Sequence, residues 1–127
     1  MSNEKKSILI VDDKISTMSS LLNMLTTEGF NVIQATNGEE GLKNAFQFHP
    51  DIILLDIVMP IMDGLTMLKI LRRDTWGRNV PVVVLTNLDN DNSAVAALDS
   101  LAYDYLIKNQ TKDEEIMQII KNKINQQ

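Results

Sequence analysis

The chain has 127 residues, 44% of them hydrophobic, a formal net charge of −5 and no cysteine. That length and apolar share suit one domain with a real core and argue against a disordered chain. The acidic balance, with no basic stripe, argues against nucleic acid or an anionic membrane as a direct partner, and the lack of cysteine removes disulfides, thiolate metal sites and thiol catalysis.

The polar start, residues 1–6, carries no apolar leader. No later stretch approaches the roughly 18 apolar residues of a membrane helix. A cytoplasmic protein is therefore expected. Ser7-Ile8-Leu9-Ile10-Val11 is the first strand-like run, and it stops at Asp12-Asp13. Ile15, Met18, Leu22 and Leu25 then repeat at helical spacing, with Gly29 as a stop. Residues 31–35 read as a second strand. Leu42, Ala45 and Phe46 form a shorter helical stripe ended by Pro50. Asp51-Ile52-Ile53-Leu54-Leu55 is a third strand and runs into Asp56. Leu65, Leu68 and Leu71, with Met67 and Ile70, mark a third helix. Residues 80–85 form a fourth strand ending at Thr86. Ala94, Val95, Leu98 and Leu101 predict a fourth helix with a thin packing face. Residues 103–107 form a fifth strand followed by Lys108. Thr111 and Glu114 then suggest a capping box, and Ile116, Ile119, Ile120 and Ile124 continue as a fifth helix.

Apolar runs that alternate with helices predict an α/β domain with a parallel sheet covered on both faces. Right-handed crossovers favour a doubly wound, flavodoxin-like sheet in the order 2-1-3-4-5 with five helices. One domain spanning 1–127 is expected, with no second domain after the fifth helix.

Asp12, Asp13 and Asp56 fall at the carboxyl ends of two strands, where open α/β sheets place ligands. Three acids gathered there repel one another unless a cation holds them. Oxygen ligands of this kind suit Mg²⁺, or Mn²⁺ in its place. Helix capping accounts for one such aspartate, but less readily for all three. An ammonium at Lys108 would pair with a carboxylate or a phosphoryl oxygen, and Thr86 offers a hydroxyl at the same edge. Either residue alone would read as ordinary surface.

Four stretches taken together resemble the receiver domain of bacterial two-component response regulators, of the single-domain chemotaxis type. They are Ile10-Val11-Asp12-Asp13, the run from Asp56 through Met59-Pro60 to Asp63-Gly64, Leu85-Thr86, and Tyr105-Leu106-Ile107-Lys108. The resemblance covers essentially the whole chain and implies a phosphorylation switch. Asp56 would be the phosphoacceptor, receiving its group from a phosphohistidine on a sensor histidine kinase or a histidine phosphotransfer protein. Asp13, Asp56 and the Val58 backbone carbonyl would hold the metal, with Asp12 acting largely through water. Lys108 and Thr86 would contact phosphoryl oxygens. Thr86 and Tyr105 would form the switch, read out by a downstream protein at the face of the fourth helix, fifth strand and fifth helix. A homodimer through that face is also consistent with the resemblance.

Two residues depart from the family pattern. Asn109 stands where a cis proline is usual, and a cis bond without proline costs about 3–4 kcal/mol, so trans is expected. Asn87 is larger than the family norm beside Thr86 and would narrow access to Asp56. Val58 and Leu88 stand at positions that, in the family the chain resembles, border the path of the hydrolytic water; both are apolar and cannot position water by hydrogen bonds, so the resemblance implies a long-lived acyl phosphate. Among other readings, a Mg²⁺-dependent phosphatase or phosphotransferase using Asp56 as nucleophile would need a leaving-group acid and a substrate cap, neither evident. A flavin or nucleotide module lacks its Gly-rich loop after the first strand, and a receiver that is never phosphorylated sits poorly with intact acids.

Asp89-Asn90-Asp91-Asn92-Ser93 does not continue as a calcium loop, since Ala94 and Ser100 stand where glycine and glutamate are needed. His49 reads as a surface residue at a helix end, Trp76 as a loop anchor, and Met59, Met62 and Met67 as core filling.

Overall fold

The structure is a computed structural model that describes residues 5–86, 104–107 and 111–125; of Ile15, Thr17, Thr86 and residues 104–107 it describes the backbone alone. Among the described residues there are five strands: β1 (Ser7–Val11), β2 (Asn31–Ala35), β3 (Ile52–Leu55), β4 (Val82–Thr86) and β5 (Asp104–Ile107). They form one sheet in the order β2-β1-β3-β4-β5, and every pairing is parallel. The helices are α1 (Ile15–Thr27), α2 (Gly38–Phe48), α3 (Gly64–Leu71) and a C-terminal helix (Asp113–Asn125). This is the flavodoxin-like order expected from the alternation of runs. The helix expected around Ala94 to Leu101 lies outside the described residues.

Side chains alternate along the strands, so β1, β3 and β4 feed both faces. Leu9, Val11, Ile53, Leu55, Val82 and Val84 pack with α2 and α3 through Leu42, Ala45, Met67, Leu68 and Leu71. Ile8, Ile10, Ile52, Leu54, Val83 and Leu85 pack on the other face with Met18, Leu21 and Leu25 of α1 and Ile116, Ile120 and Ile124 of the C-terminal helix. Burial on both faces explains why β1, β3 and β4 read as apolar runs.

Local chemistry sets the element ends. Gly29 adopts φ +97°, its N–H donates to the Thr26 carbonyl, and the Phe30 N–H donates to the Leu25 carbonyl. This pair of bonds is a Schellman stop on α1. Asn37 caps α2 by accepting from the Glu40 N–H at 2.8 Å, while Glu40 accepts from the Thr36 N–H at 2.9 Å. That reciprocal arrangement resembles a capping box. His49 ends α2 in the left-handed region at φ 46° and stacks on Trp76, with ring centroids 4.2 Å apart.

Several boundaries and packing assignments differ from the pattern-based expectation. The fourth strand starts at Val82 rather than residue 80, since Pro81 has no N–H to give a ladder and contributes only its carbonyl, which accepts from the Ile53 N–H. The third starts at Ile52; Asp51 just ahead of it is tied to Ser7, its N–H donating to the Ser7 carbonyl at 2.9 Å and its carboxylate accepting the Ser7 N–H at 2.7 Å. On α1 the buried residue is Leu21, with Leu22 only partly covered. Phe46 is 39% exposed rather than part of the core stripe, its ring lying edge-on to Trp76.

Candidate functional site

The sheet register explains why acids distant in sequence meet. Val11 of β1 pairs with Leu55 of β3, so the next residues, Asp12 and Asp56, emerge level with each other at the carboxyl edge. The ladder holds both backbones: the Asp12 N–H donates to the Ala35 carbonyl, and the Asp56 N–H to the Val11 carbonyl at 2.9 Å. Asp12 and Asp56 are buried, at 3% and 4% exposure, whereas Asp13 is open to solvent. One carboxylate oxygen from each of the three lies within 4.8 Å of the others.

Asp12 does more than face this cluster. Its Oδ1 accepts the Lys14 N–H at 2.9 Å and shapes the turn into α1. The capping explanation therefore holds in part for Asp12. It does not cover Asp13 or Asp56. The Asp56 Oδ1 accepts the Ile57 N–H at 2.8 Å, which fixes the carboxylate plane and leaves Oδ2 facing the cluster.

The loop after Asp56 is tightly drawn. The Gly64 N–H donates to the Ile57 carbonyl at 2.8 Å and the Met62 N–H to the Pro60 carbonyl at 2.7 Å. Asp63 starts α3 by accepting the Thr66 N–H at 2.7 Å. Val58, two residues past Asp56, is 55% exposed. Ile61 sits at φ 69° inside the Pro60–Met62 hydrogen bond, a strained turn for a β-branched residue, and is 77% exposed. Ile61→Gly relieves strain of about 1–2 kcal/mol and loses little packing, but frees the unfolded chain by about 0.4–1 kcal/mol. Urea unfolding is expected to show net stabilisation of about 0.5–1 kcal/mol; destabilisation would contradict strain at this turn.

Lys14, unassigned by sequence reasoning, supplies the positive charge. Its Nζ lies 3.6 Å from the Asp56 Oδ2 and 3.7 Å from the Asp13 Oδ1. Desolvation lowers its pKa, but the combined pull of Asp56, Asp13 and Asp12 outweighs it, so the ammonium is held above the ordinary lysine range. The only signal in the chain was its place directly after two acids at a helix start.

The donors fit a hard divalent cation: all are carboxylate oxygens, and the cluster has already drawn in the Lys14 ammonium as a stand-in cation. Asp13, open to solvent, leaves room for the waters Mg²⁺ retains. The backbone of Thr86 closes β4 opposite Ile107, and that of Tyr105 pairs with Val84, so both stand toward the same edge. Lys108, Asn87, Leu88, Asn109 and the Asp89–Ser93 run lie outside the described residues.

The chain matches the response regulator receiver domain over residues 8–121. It is 41% identical over 101 residues to the transcriptional regulatory protein PrrA of Mycobacterium leprae, covering 80% of this chain and 42% of that protein. It is 42% identical over 101 residues to the response regulator PleD of Caulobacter vibrioides, covering 80% of this chain and 22% of that protein. The chain thus spans less than half the length of these curated relatives. Among solved structures it superposes with a TM-score of 0.86 on a response regulator from Chloroflexus aurantiacus, at 31% identity and covering 96% and 99% of the two chains. The receiver domain of a Pseudomonas aeruginosa sensor histidine kinase, solved with a magnesium ion coordinated in its active site cleft, gives a TM-score of 0.87 at 27% identity, with the same coverages of 96% and 99%. Sheet order, the acids at its carboxyl edge and these likenesses agree, and the chain belongs to the response regulator receiver domains, the phosphorylation-dependent signalling domains of two-component systems.

Proposed function

We propose that Asp56 is the phosphoacceptor of this domain. The observation that carries this reading is the convergence of a buried, oriented Asp56 carboxylate with Asp12 and Asp13 at the sheet's carboxyl edge. In the proposed step an Asp56 oxygen attacks the phosphorus of a phosphohistidine. The P–N bond breaks, its electron pair leaves with the imidazole, and the imidazole takes a proton from solvent. The product is an acyl phosphate on Asp56. Bound Mg²⁺ or Mn²⁺ would offset charge on the acceptor and on the transferring group and align them. Asp13, Asp56 and the Val58 carbonyl are the residues proposed to hold it, with Asp12 through water. Burial of Asp12 and Asp56 against the core keeps these groups in place without reorganisation.

Residue roles further from the cluster rest on the family resemblance. Lys108 and Thr86 are proposed to bind phosphoryl oxygens. Phosphorylation adds charge and acceptor oxygens, and Thr86 with Tyr105 would bias a two-state equilibrium toward them. A helix between β4 and β5 is part of this reading, since a parallel connection needs a crossover of a dozen or more residues. That helix, β5 and the C-terminal helix would form the face a downstream protein, or a second copy, reads. The partner upstream would be a histidine kinase or histidine phosphotransfer protein. Among the described residues no helix is long and apolar enough to cross a membrane, and we place the domain, residues 1–127, in the cytoplasm. It acts as a signalling domain rather than a turnover enzyme, and the relatives reported above give no support to a phosphatase.

The test is incubation with acetyl phosphate, with Mg²⁺ or with a chelator, followed by intact mass. One phosphoryl group per chain in the presence of metal, and none with the chelator, is the expected result. Uptake indifferent to metal, or continuous hydrolysis without a stable adduct, would contradict it.

A further inference from the structure

The cluster at the carboxyl edge is already contacted by a positive charge that belongs to the chain. Lys14 lies at the entry to α1, and its backbone is pinned on both sides: its N–H donates to the Asp12 Oδ1 at 2.9 Å, and its carbonyl accepts the Met18 N–H at 3.0 Å. From that fixed point the side chain reaches across the cluster, placing Nζ 3.6 Å from the Asp56 Oδ2 and 3.7 Å from the Asp13 Oδ1. These are two of the three carboxylates that share the metal-sized group. The Lys14 side chain is 49% exposed, so the ammonium can swing out into water without unpacking the core. Asp56, at 3% side-chain exposure, cannot follow it.

We infer that Lys14 is a built-in competitor for the divalent cation, holding the acids together in the metal-free domain and leaving them as the ion enters. It is a positioning residue that tunes the metal dependence of phosphorylation, and the inference rests on the metal-binding reading above. The chemistry is ion exchange: a monovalent ammonium yields to a divalent ion that takes several oxygens at once, while Lys14 regains its hydration. A partly exposed pair contributes modestly, so removal of the charge is expected to tighten Mg²⁺ binding about three- to fivefold.

The experiment is a calorimetric Mg²⁺ titration of the wild type, Lys14→Met, Lys14→Arg and Lys6→Met. Lys6 is an exposed lysine preceding β1, at the far end of the strand from the acids, and so controls for net charge. Lys14→Met is expected to bind Mg²⁺ three- to fivefold more tightly than the wild type, whereas Lys14→Arg and Lys6→Met stay within about twofold. In parallel, NMR of the wild type is expected to show the Lys14 side-chain Cε–Hε signal moving as metal is added and saturating with it. Equal tightening in Lys6→Met, no tightening in Lys14→Met, or a motionless Lys14 signal would overturn the inference while leaving the metal site standing. Failure of the wild type to bind Mg²⁺ at all would instead overturn the metal-binding reading itself.

Discussion

Asp56→Asn is expected to abolish phosphoryl uptake from acetyl phosphate while the domain stays folded. The amide nitrogen and oxygen match the carboxylate in size, and the amide oxygen can still accept the Ile57 N–H that now meets Oδ1 at 2.8 Å. The ladder bond from the Asp56 N–H to the Val11 carbonyl is a backbone bond and is untouched. What the substitution removes is the anionic oxygen that attacks phosphorus, together with one charge from the cation cluster. Loss should be complete rather than partial, since Asp12 carries its own backbone bond to Lys14 and Asp13 is open to solvent. Intact mass after incubation with acetyl phosphate and Mg²⁺ measures this, with circular dichroism as the folding control. Undiminished uptake in a folded Asp56→Asn protein would place the acceptor elsewhere.

Gly64→Ala is expected to cost about 3 kcal/mol or more of stability, a large share of the roughly 5–15 kcal/mol of a typical domain. A Cβ at this position would clash with the Asp56 carbonyl oxygen and lie 2.9 Å from the Ile57 Cα. Both are backbone, so no flexible side-chain end can move aside. Relief requires breaking the Gly64 N–H bond to the Ile57 carbonyl or displacing the start of α3. Either shift moves the segment that carries Asp56, so loss of metal affinity is expected alongside loss of stability. Urea unfolding and a Mg²⁺ titration measure the two effects. A loss below about 1 kcal/mol would show that the loop is looser than this packing implies.

The sheet and its acids were legible because each carries a coarse signal. A strand buried on both faces has to be an unbroken apolar run, and Asp12 and Asp56 stand where two such runs stop, so their meeting needed only the parallel register of Val11 with Leu55. Glycine at position 64 has a steric cause, since a Cβ there would meet the Asp56 carbonyl. Lys14 was not legible as a site residue, because its contact with Asp56 depends on how the turn set by Asp12 aims one long side chain. Ile61 runs against residue preference: a β-branched residue holds a positive φ because hydrogen bonds on either side, from Met62 to Pro60 and from Gly38 to the Met62 carbonyl, dictate the turn. Phe46 kept helical spacing yet lies outside the core, since the end of α2 turns toward the Trp76 ring rather than toward the sheet. Helical period identifies a face but not how far along the helix that face remains covered.

The convergence of acids around one cation is tested most directly by titrating the isotopically labelled domain with Mn²⁺ and following paramagnetic broadening of its backbone amides. Asp12, Asp13, Asp56 and Ile57 are expected to vanish first and together, with residues at the opposite end of the sheet, such as Ser7 and Asn31, still sharp. Broadening centred on the exposed acids Glu39 and Glu40 or on Asp113 to Glu115, with the Asp56 amide intact, would contradict the account.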